Sequence, residues 1–361
     1  MLNKVLLTGG HLAPAIAVLE ALQKEKANIV FVGKEHAFAD NLDQSLEETL
    51  LKQYPNVKYY GLNTGRFQGL FTWSLFSEMY KTFRSFFKAL SILRQEKPSS
   101  VITFGGYVAL PISLAAALKR IPFYLHEQTL SPGLANILLS FLARKVFVTF
   151  PETVKRFPLH NGQSLGNPIK NFLQMERRPD WFRESDKPLI LILGGSAGSH
   201  SINLILEKII PELSQKYFLI HQTGDSSYRD YDRLVKFKSA SSYLPVKFIH
   251  PHELHFLFQK ANLVITRSGA NTFFSLLYFQ KPSILIPLPW ARNNEQYKQA
   301  NLLKDLKVAE IFPQTSEATS LIKLVETVFR NEKEYRHHFS QTGSHLNLIV
   351  DAKELLAKIH D

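Results

Sequence analysis

The stretch VLLTGGHLAPAIAV, residues 5–18, joins a short apolar run, a glycine pair and a helix-like segment. The apolar run predicts a buried strand that ends at Gly9 and Gly10, and the residues that follow predict a helix beginning near Pro14. A strand, a glycine turn and a helix commonly bind phosphate, because glycine lets a ligand approach the backbone and a helix N-terminus favours negative charge. His11 lies inside this turn, where a histidine taken alone is more often structural, so its role stays open on this motif.

The composition is that of an ordinary globular protein of about two domains. The chain has 361 residues, of which 45% are hydrophobic and 20% charged. Its 43 basic and 31 acidic residues leave a net charge of +12, which predicts an anionic partner such as a phosphate substrate, nucleic acid or a membrane surface. It has no cysteine, so a disulfide framework is excluded and an intracellular location is favoured.

The hydropathy pattern indicates a soluble or peripheral protein. The first apolar run begins almost at Met1, so we expect no signal peptide. No apolar run reaches the ~18 residues of a membrane span. The longest candidate, residues 107–118, stops at Lys119 and Arg120.

Short apolar runs alternate with helix-length segments in both halves of the chain, which predicts an α/β protein with a doubly wound parallel sheet in each half. The runs are NIVFVG (28–33), SSVITFGG (99–106), PFYLHEQ (122–128), RKVFVTF (144–150), PLILILGGS (188–196), FLIHQTG (218–224), VKFIH (246–250), NLVITRSG (262–269) and SILIPL (283–288). We expect an N-terminal domain over 1–165 and a C-terminal domain over 189–340. The charged segment 166–188, which contains three prolines, is predicted to be the linker.

Ligands of doubly wound sheets bind at the carboxyl ends of the strands. Three of the predicted strands run into paired glycines, at 9–10, 105–106 and 194–195, although such a pair can also be only a tight turn. LGGSAGS (193–199) is the best predicted anion site, because the Ser196 and Ser199 hydroxyls join the N–H groups of a starting helix. Arg267 follows another strand and either pairs with a diphosphate or forms a salt bridge to a helix. In HEQ (126–128), His126 or Glu127 either transfers protons or caps the strand.

Two further segments leave alternatives open. DYD (230–232) resembles a metal-binding signature, but its charged surroundings predict a solvated helix and no essential metal site. Residues 66–94 mix aromatic and basic side chains. A stripe at helical spacing is predicted to pack on the sheet: Phe76, Tyr80, Phe83 and Phe87. The aromatics outside it suit either a membrane interface or the core: Phe67, Phe71, Trp73 and Phe86.

Taken in order, the motifs resemble the MurG family of glycosyltransferases, which belongs to glycosyltransferase family 28. They are TGGHLAPA (8–15), FGGYVALP (104–111), HEQ (126–128), GNPIK (166–170), LGGSAGS (193–199), RSGANT (267–272) and EQY (295–297). The resemblance runs from residue 4 to about residue 300. It implies the GT-B architecture, with two Rossmann-like domains, an active site in the cleft between them, and a C-terminal helix over 341–361 that crosses back to the first domain.

The resemblance also implies the activity. Members transfer N-acetylglucosamine (GlcNAc) from UDP-GlcNAc to the 4-hydroxyl of the muramyl sugar in lipid I, with inversion, and so complete lipid II for peptidoglycan. They act at the cytoplasmic face of the cell membrane as peripheral enzymes. The implied partners are UDP-GlcNAc, the undecaprenyl-diphosphate-linked lipid I and an anionic membrane surface, with no nucleic acid, cofactor or metal.

Site residues are carried over position by position. The implied donor-binding set is Thr8, Gly9, Gly10, Thr129, Lys170, Ser196, Ile249, Arg267, Ala270, Asn271, Thr272, Ser275 and Gln296. Gly105, Gly106 and Tyr107 are implied to bind the acceptor diphosphate. His11 is implied to be the general base, with Glu127 close by as the next candidate. Ser275 stands where the family has an acidic residue that holds the ribose, Thr129 replaces an asparagine, and Lys170 replaces an arginine.

Other classes remain open on the sequence. A UDP-GlcNAc 2-epimerase-like isomerase shares the fold and needs no lipid-facing segment, but it requires several carboxylates around the sugar. A second alternative is that the chain is a divergent GT-B transferase that acts on another lipid acceptor. A non-catalytic protein with Ser275 at the ribose position binds a nucleotide sugar without turnover.

Overall fold

A computed structural model describes residues 4–38, 41–44, 46–65, 74–159, 161–169, 177–195, 198–341 and 346–360. The chain forms two compact units. Unit 1 comprises residues 1–171 and 347–361, and unit 2 comprises residues 172–346. Helices and strands are numbered in chain order.

Unit 1 is built on a seven-stranded parallel sheet with the order β5-β2-β1-β6-β7-β8-β9. Leu6 in the central strand β1 lies opposite Val30 of β2 on one side and Val101 of β6 on the other. The strands of unit 1 are β1 (Lys4–Gly10), β2 (Asn28–Lys34), β3 (His36–Phe38), β4 (Asn41–Gln44), β5 (Val57–Leu62), β6 (Ser100–Phe104), β7 (Phe123–Glu127), β8 (Lys145–Val148), β9 (Gly162–Ser164), β10 (Asn167–Ile169) and β17 (Ile349–Asp351). Its helices are α1 (Leu12–Lys24), α2 (Leu46–Leu51), α3 (Ser74–Glu96), α4 (Gly106–Leu118), α5 (Leu134–Leu139), α6 (Pro151–Val154) and α15 (Ala352–His360).

Both faces of this sheet are covered, as its unbroken apolar strands require. On one face, side chains such as Val5 and Leu7 pack with α1 and with the C-terminal helix α15. On the other face, side chains such as Leu6 pack with α3 and α4. The phenol of Tyr124 also donates a 3.3 Å hydrogen bond to the carbonyl oxygen of Ile359 in α15.

Unit 2 is built on a six-stranded parallel sheet with the order β13-β12-β11-β14-β15-β16, so the confirmed class is α/β with a doubly wound sheet in each unit. Its strands are β11 (Leu189–Leu193), β12 (Phe218–Gln222), β13 (Tyr243–Val246), β14 (Leu263–Thr266), β15 (Ser283–Leu285) and β16 (Ala309–Ile311). Its helices are α7 (His200–Glu207), α8 (Ile210–Lys216), α9 (Asp230–Leu234), α10 (Pro251–Lys260), α11 (Ala270–Phe279), α12 (Glu295–Asp305), α13 (Ala318–Arg330) and α14 (Glu332–Gln341).

Each sheet has a switch point, where consecutive strands are added on opposite sides of the first. It lies between β1 and β6 in unit 1 and between β11 and β14 in unit 2. Helices that follow these strands leave toward opposite faces, which opens a crevice at the strand ends. The glycine pairs and Arg267 all follow switch-point strands, so the sheet order selects the loops that the sequence analysis singled out.

The predicted strands differ from the structure in two places. VKFIH was predicted as a strand, but β13 comprises Tyr243–Val246 and ends where that run begins. As an edge strand β13 tolerates Pro245, which lowers its strand signal. The strand β10, inside the predicted linker, pairs with β17 near the C-terminus, a long-range contact that local sequence does not reveal.

Helix α3 presents to the core a face other than the predicted one, so the prediction for its aromatic stripe is wrong. The stripe predicted to pack on the sheet is exposed: Phe76 (74%), Tyr80 (62%), Phe83 (61%) and Phe87 (54%). The buried side chains of the helix are Ser85, Ala89, Ile92, Leu93 and Glu96. Smaller residues face inward because α3 packs closely against α4. Phe86 is partly buried against the core, whereas Phe67, Phe71 and Trp73 lie outside the described residues.

No helix among the described ranges is long and apolar enough to cross a membrane.

Candidate active site

The first and second glycine pairs touch each other at the switch point of unit 1. Gly10, with φ +121°, packs so tightly on the Gly105 carbonyl that a Cβ at position 10 would overlap it. A Cβ at Gly106 would lie 2.8 Å from the Cα of Gly10. Both positions therefore require glycine for the approach of two loops, whatever ligand they bind. Gly9 lies buried at the end of the same strand.

His11 occupies the N-cap position of α1 with an extended backbone and no capping side-chain hydrogen bond, and its N–H donates to the Phe104 carbonyl oxygen at 3.4 Å. Its Nδ1 lies 2.7 Å from the side-chain amide nitrogen of Gln128. Burial lowers the pKa of His11; nearby Glu127 opposes the shift and Lys34 adds to it. The ring is therefore neutral at pH 7, as a general base must be.

Each oxygen of the Glu127 carboxylate accepts two hydrogen bonds, so this residue has a structural role beside the catalytic one predicted for it. Its Oε1 accepts hydrogen bonds from the N–H and hydroxyl of Thr129, at 2.9 and 2.7 Å. Its Oε2 accepts from the Gly133 N–H at 3.2 Å and from the Asn136 amide at 2.8 Å. With four donors and 1% exposure, this carboxylate holds the loop after β7 in place.

His126 bridges within unit 1. Its Nε2 lies 2.9 Å from the carbonyl oxygen of Gly166, just before β10. Burial lowers the pKa of His126 to about 4, so the ring is neutral and donates this bond. Its position in the HEQ motif thus has a structural role.

The other predicted residues of unit 1 lie around the same loops. Thr8 is fully buried, and its hydroxyl donates to the Thr103 hydroxyl at 3.1 Å, so its side chain does not face a ligand. Tyr107 is partly exposed in the first turn of α4. Lys170 lies outside the described residues.

In unit 2 the third glycine pair opens a loop at the N-terminus of α7. A Cβ at Gly194 would overlap the Ser199 backbone and one at Gly198 the Thr223 carbonyl, whereas none of the described residues comes within 4 Å of a Cβ at Gly195. The loop is therefore packed at both ends and open at Gly195, where a ligand can approach the backbone. Ser196, predicted to contact the diphosphate, lies outside the described residues.

Arg267 is a buried cation surrounded by neutral groups. It is 8% exposed, and its Nη1 donates to the carbonyl oxygens of Ile286 and Pro287, at 2.8 and 3.4 Å. Its Nη2 donates to Ser199, Ser201 and Gln314, at 2.8, 2.6 and 2.7 Å. No carboxylate of the described residues forms an ion pair with it, which rules out the predicted alternative of a salt bridge to a helix there. Burial lowers its pKa, and a bound anion would offset that cost.

Gln222, at the end of β12, links the open glycine loop to Ile249. Its side-chain amide donates to the Gly195 carbonyl oxygen at 2.7 Å and accepts from the Ile249 N–H at 3.2 Å. The backbone of Ile249, predicted to meet uracil, is thus held at a fixed distance from the loop predicted to hold phosphates.

The remaining predicted donor residues begin α11 and α12. Ala270, Asn271 and Thr272 form the first turn of α11, and the Ser275 hydroxyl donates to the Asn271 carbonyl oxygen at 3.0 Å. The Gln296 side chain accepts from the Leu288 N–H at 2.9 Å. Ser268 ties the two segments together by donating to the Gln296 carbonyl oxygen at 2.8 Å.

DYD begins the helix α9, as predicted, but this helix is not solvated at Asp230, which is only 2% exposed. Its carboxylate lies 2.8 Å from His200 Nδ1, from the Arg233 guanidinium and from the Asn203 amide, so it fastens α9 to α7. Across the described part of the chain, no three His, Cys, Asp or Glu side chains meet in a group that could hold a metal ion.

The structure therefore gathers the predicted residues into one group per unit: His11, the glycines and the HEQ loop in unit 1, and the glycine loop, Arg267, Ile249 and the starts of α11 and α12 in unit 2. Sequence reasoning missed the side chains that connect them. These are Gln128, Asn136, Ser201, Gln222 and Gln314. Gln128 directly follows β7, and Gln222 ends β12. Their position at strand ends was the signal available in the sequence.

Comparison with known proteins identifies the family of the chain. Residues 8–148 match the glycosyltransferase family 28 N-terminal domain, and residues 189–354 match its C-terminal domain. The chain is 30% identical over 361 residues, 96% of this chain and 97% of the relative, to the UDP-N-acetylglucosamine–N-acetylmuramyl-(pentapeptide) pyrophosphoryl-undecaprenol N-acetylglucosamine transferase of Clostridium perfringens.

Two solved structures bear on the alternatives. Acinetobacter baumannii MurG matches with a TM-score of 0.72 and 27% identity over 99% of both chains. UDP-GlcNAc 2-epimerase from Neisseria meningitidis matches with a TM-score of 0.68 over 98% of both chains, but at 14% identity it shares only the fold. The predicted GT-B architecture and the predicted resemblance are confirmed, and the chain belongs to glycosyltransferase family 28.

Proposed function

We propose that the protein is an inverting glycosyltransferase that moves GlcNAc from UDP-GlcNAc to the muramyl 4-hydroxyl of lipid I, giving lipid II. The acceptor oxygen attacks the anomeric carbon of GlcNAc while the bond from that carbon to the diphosphate oxygen breaks. The electron pair of that bond leaves with UDP, and the hydroxyl proton goes to His11. Names of family 28 relatives support the substrates, and the two groups of residues support the chemistry.

The main support for the proposed donor site is the charge of Arg267, which is buried and has no carboxylate partner among the described residues. A cation that is 8% exposed among neutral partners is costly, and a diphosphate would supply its counter-charge. The neighbouring loop is open at Gly195 and leads into the N-terminus of α7, where N–H groups favour an anion. Charge that develops on the leaving diphosphate is thus stabilised more strongly than the charge of the ground state.

Ser275 and Ile249 mark where this chain differs. The Ser275 hydroxyl is turned back onto its own helix, and the Ile249 N–H is already bonded to Gln222. In our proposal the ribose and uracil are bound through other atoms, including the Ile249 carbonyl oxygen, with Ala270, Asn271, Thr272 and Gln296 lining the nucleotide-sugar site.

The decisive experiment combines the purified protein with radiolabelled UDP-GlcNAc and lipid I and analyses the lipid product. We expect a labelled β-linked disaccharide lipid and one UDP released per sugar transferred. Formation of UDP-N-acetylmannosamine without an acceptor would instead indicate an epimerase. Donor binding without any product would indicate a binding protein, and transfer only to a different lipid would indicate another acceptor.

We also propose that unit 1 binds the cytoplasmic face of the membrane peripherally, through the exposed side of α3. Four aromatic side chains there are more than half exposed, and Met79 adds to the same apolar surface. Arg84 lies 5.9 Å from the centre of the Tyr80 ring, and Lys88 is nearby on the same helix. Amphipathic aromatics beside basic groups suit an anionic lipid surface.

We predict that the protein sediments with anionic vesicles, and that salt weakens this binding by screening. Replacing both Tyr80 and Phe83 by serine should lower the partition coefficient by about 100-fold or more, since each buried aromatic contributes about 1.5–3 kcal/mol. Trp290→Ser, at a residue of unit 2 that is 71% exposed, is the control and should change nothing. Equal binding to neutral and anionic vesicles at every salt concentration would refute the electrostatic contribution to membrane binding. Binding to neither kind of vesicle would refute the exposed side of α3 as a membrane-binding surface.

A further inference from the structure

The side chain of His11 hydrogen-bonds to the side chain of Gln128. The distance between the amide nitrogen of Gln128 and His11 Nδ1 is 2.7 Å, and Gln128 is only 2% exposed. Among the described residues, no protein group hydrogen-bonds the other ring nitrogen of His11, Nε2. One nitrogen is thus held by the protein, and the other is left for substrate.

The identity of the amide atom that faces His11 determines which ring nitrogen carries the proton. If the Gln128 nitrogen donates, Nδ1 is the acceptor and the neutral ring carries its proton on Nε2, where it cannot accept another. If the Gln128 oxygen faces the ring, Nδ1 carries the proton and Nε2 has a free lone pair. The two amide orientations have the same shape, so shape alone does not distinguish them.

The Gln128 oxygen is buried and has no other partner among the described residues. With the amide reversed, the Gln128 oxygen accepts the Nδ1–H of His11. The amide nitrogen then takes the buried position that has no partner among the described residues. One end lacks a protein partner among the described residues in either orientation, so the number of hydrogen bonds does not decide between the two, and the choice follows from the tautomer that the proposed reaction needs.

We propose that Gln128 is a positioning residue that selects the reactive tautomer of His11, accepting Nδ1–H through its side-chain oxygen and so leaving Nε2 free to take the proton of the acceptor hydroxyl. This inference rests on the proposed function, in which His11 is the base. It assigns to the third residue of the HEQ motif a task that the sequence analysis did not consider.

The loop that carries Gln128 is rigid enough for this task. The preceding residue, Glu127, accepts four hydrogen bonds that fasten the loop after β7. The His11 backbone is in turn bonded to Phe104 at the end of β6. Glu127 therefore positions Gln128, and Gln128 orients the imidazole.

The charged or titratable groups around His11 are Glu127, Lys34 and His126. Glu127 favours the imidazolium, while Lys34 and burial disfavour it; His126 is neutral. A neutral amide at position 128 orients the ring without adding a charge that would raise the pKa of His11. A carboxylate at the same position would keep the orientation and raise that pKa.

The test compares Gln128→Leu and Gln128→Glu with the same changes at Gln163, which is exposed in β9. Gln128→Leu should lower kcat by about 10- to 100-fold, as loss of an orienting hydrogen bond typically does, with UDP-GlcNAc affinity unchanged. Gln128→Glu should retain most of kcat at pH 8.5 and move the acidic limb of the pH–rate profile upward by about 1 unit or more. The Gln163 variants should match the unmodified protein.

A direct readout is the 15N NMR spectrum of histidine-labelled protein, in which the His11 signals are identified by their loss in His11→Asn. We expect the proton on Nδ1 in the unmodified protein and in Gln128→Glu, and a shift toward Nε2 in Gln128→Leu. Unchanged kcat, pH profile and tautomer in both Gln128 variants would overturn the inference even if His11→Ala is inactive. Full activity of His11→Ala would instead refute the base role, and the spectrum would still decide whether Gln128 sets the tautomer.

Discussion

Replacing His11 by alanine is expected to lower kcat by about 10²–10⁴-fold while UDP-GlcNAc binds almost as before. A general base contributes only as the acceptor hydroxyl loses its proton, so its removal affects the transition state and not the donor complex. The base candidate named next on sequence grounds, Glu127, has both oxygens committed to four donors, so we expect no substitute within the HEQ loop.

The pH dependence gives a second signature of His11. The base acts only when neutral, so activity falls as the pH drops through its pKa. Because burial lowers that pKa from 6.5, the acidic limb should lie below pH 6.5. In His11→Ala this limb should disappear or move.

The measurements are kcat against pH and calorimetric binding of UDP-GlcNAc, with the exposed His360→Ala as the control. A loss of donor affinity in His11→Ala would make His11 a nucleotide ligand or a structural residue. An unchanged kcat would exclude it as the base.

Replacing Arg267 by alanine is expected to lower kcat by on the order of 10²-fold or more. In the proposed reaction its charge stabilises the leaving diphosphate through hydrogen bonds that strengthen as the bond breaks. The alanine variant should also be less stable, because Ser199, Ser201 and Gln314 lose the donor that they share. Arg267→Lys separates the two effects, because lysine keeps the charge and loses the planar fork.

The assay follows UDP release and the thermal unfolding midpoint in parallel, with the exposed Arg330→Ala as the control. We expect UDP affinity to fall along with kcat in Arg267→Ala, and Arg267→Lys to recover part of both. Full turnover in a folded Arg267→Ala would remove this arginine from the mechanism. A loss of stability with kcat preserved at low temperature would leave it a structural role only.

The strand ends that carry chemistry were predictable from local sequence. Apolar runs followed by glycine located β1, β6 and β11 and the loops after them, because a buried parallel strand must be apolar along its whole length and a close backbone approach requires glycine. The motif order was also enough to predict the family. At Gly10 and Gly106, however, the group that approaches the glycine backbone closely is another loop of the protein.

The exposed face of α3 could not be predicted in this way. Helical periodicity marks every stripe of similar residues, but which stripe is buried depends on how closely the neighbouring helix approaches. Ala89 and Ile92 face inward against α4, and Phe83 and Phe87 face solvent. Hydrophobicity alone favoured the aromatic stripe and was wrong.

Sequence by itself determined the fold class and located the strand-end loops, and it singled out His11 and Arg267 as candidates for the site. Tertiary structure alone decided the partners of these residues: Gln128 lies 117 positions from His11, and Gln314 lies 47 from Arg267. It also showed that Glu127 and Asp230 are saturated with donors or ion pairs, and that Arg267 has no carboxylate partner in the described part of the chain. The physical reason is that a side chain's chemistry is set by burial and by neighbours far along the chain, and neither is encoded by local pattern.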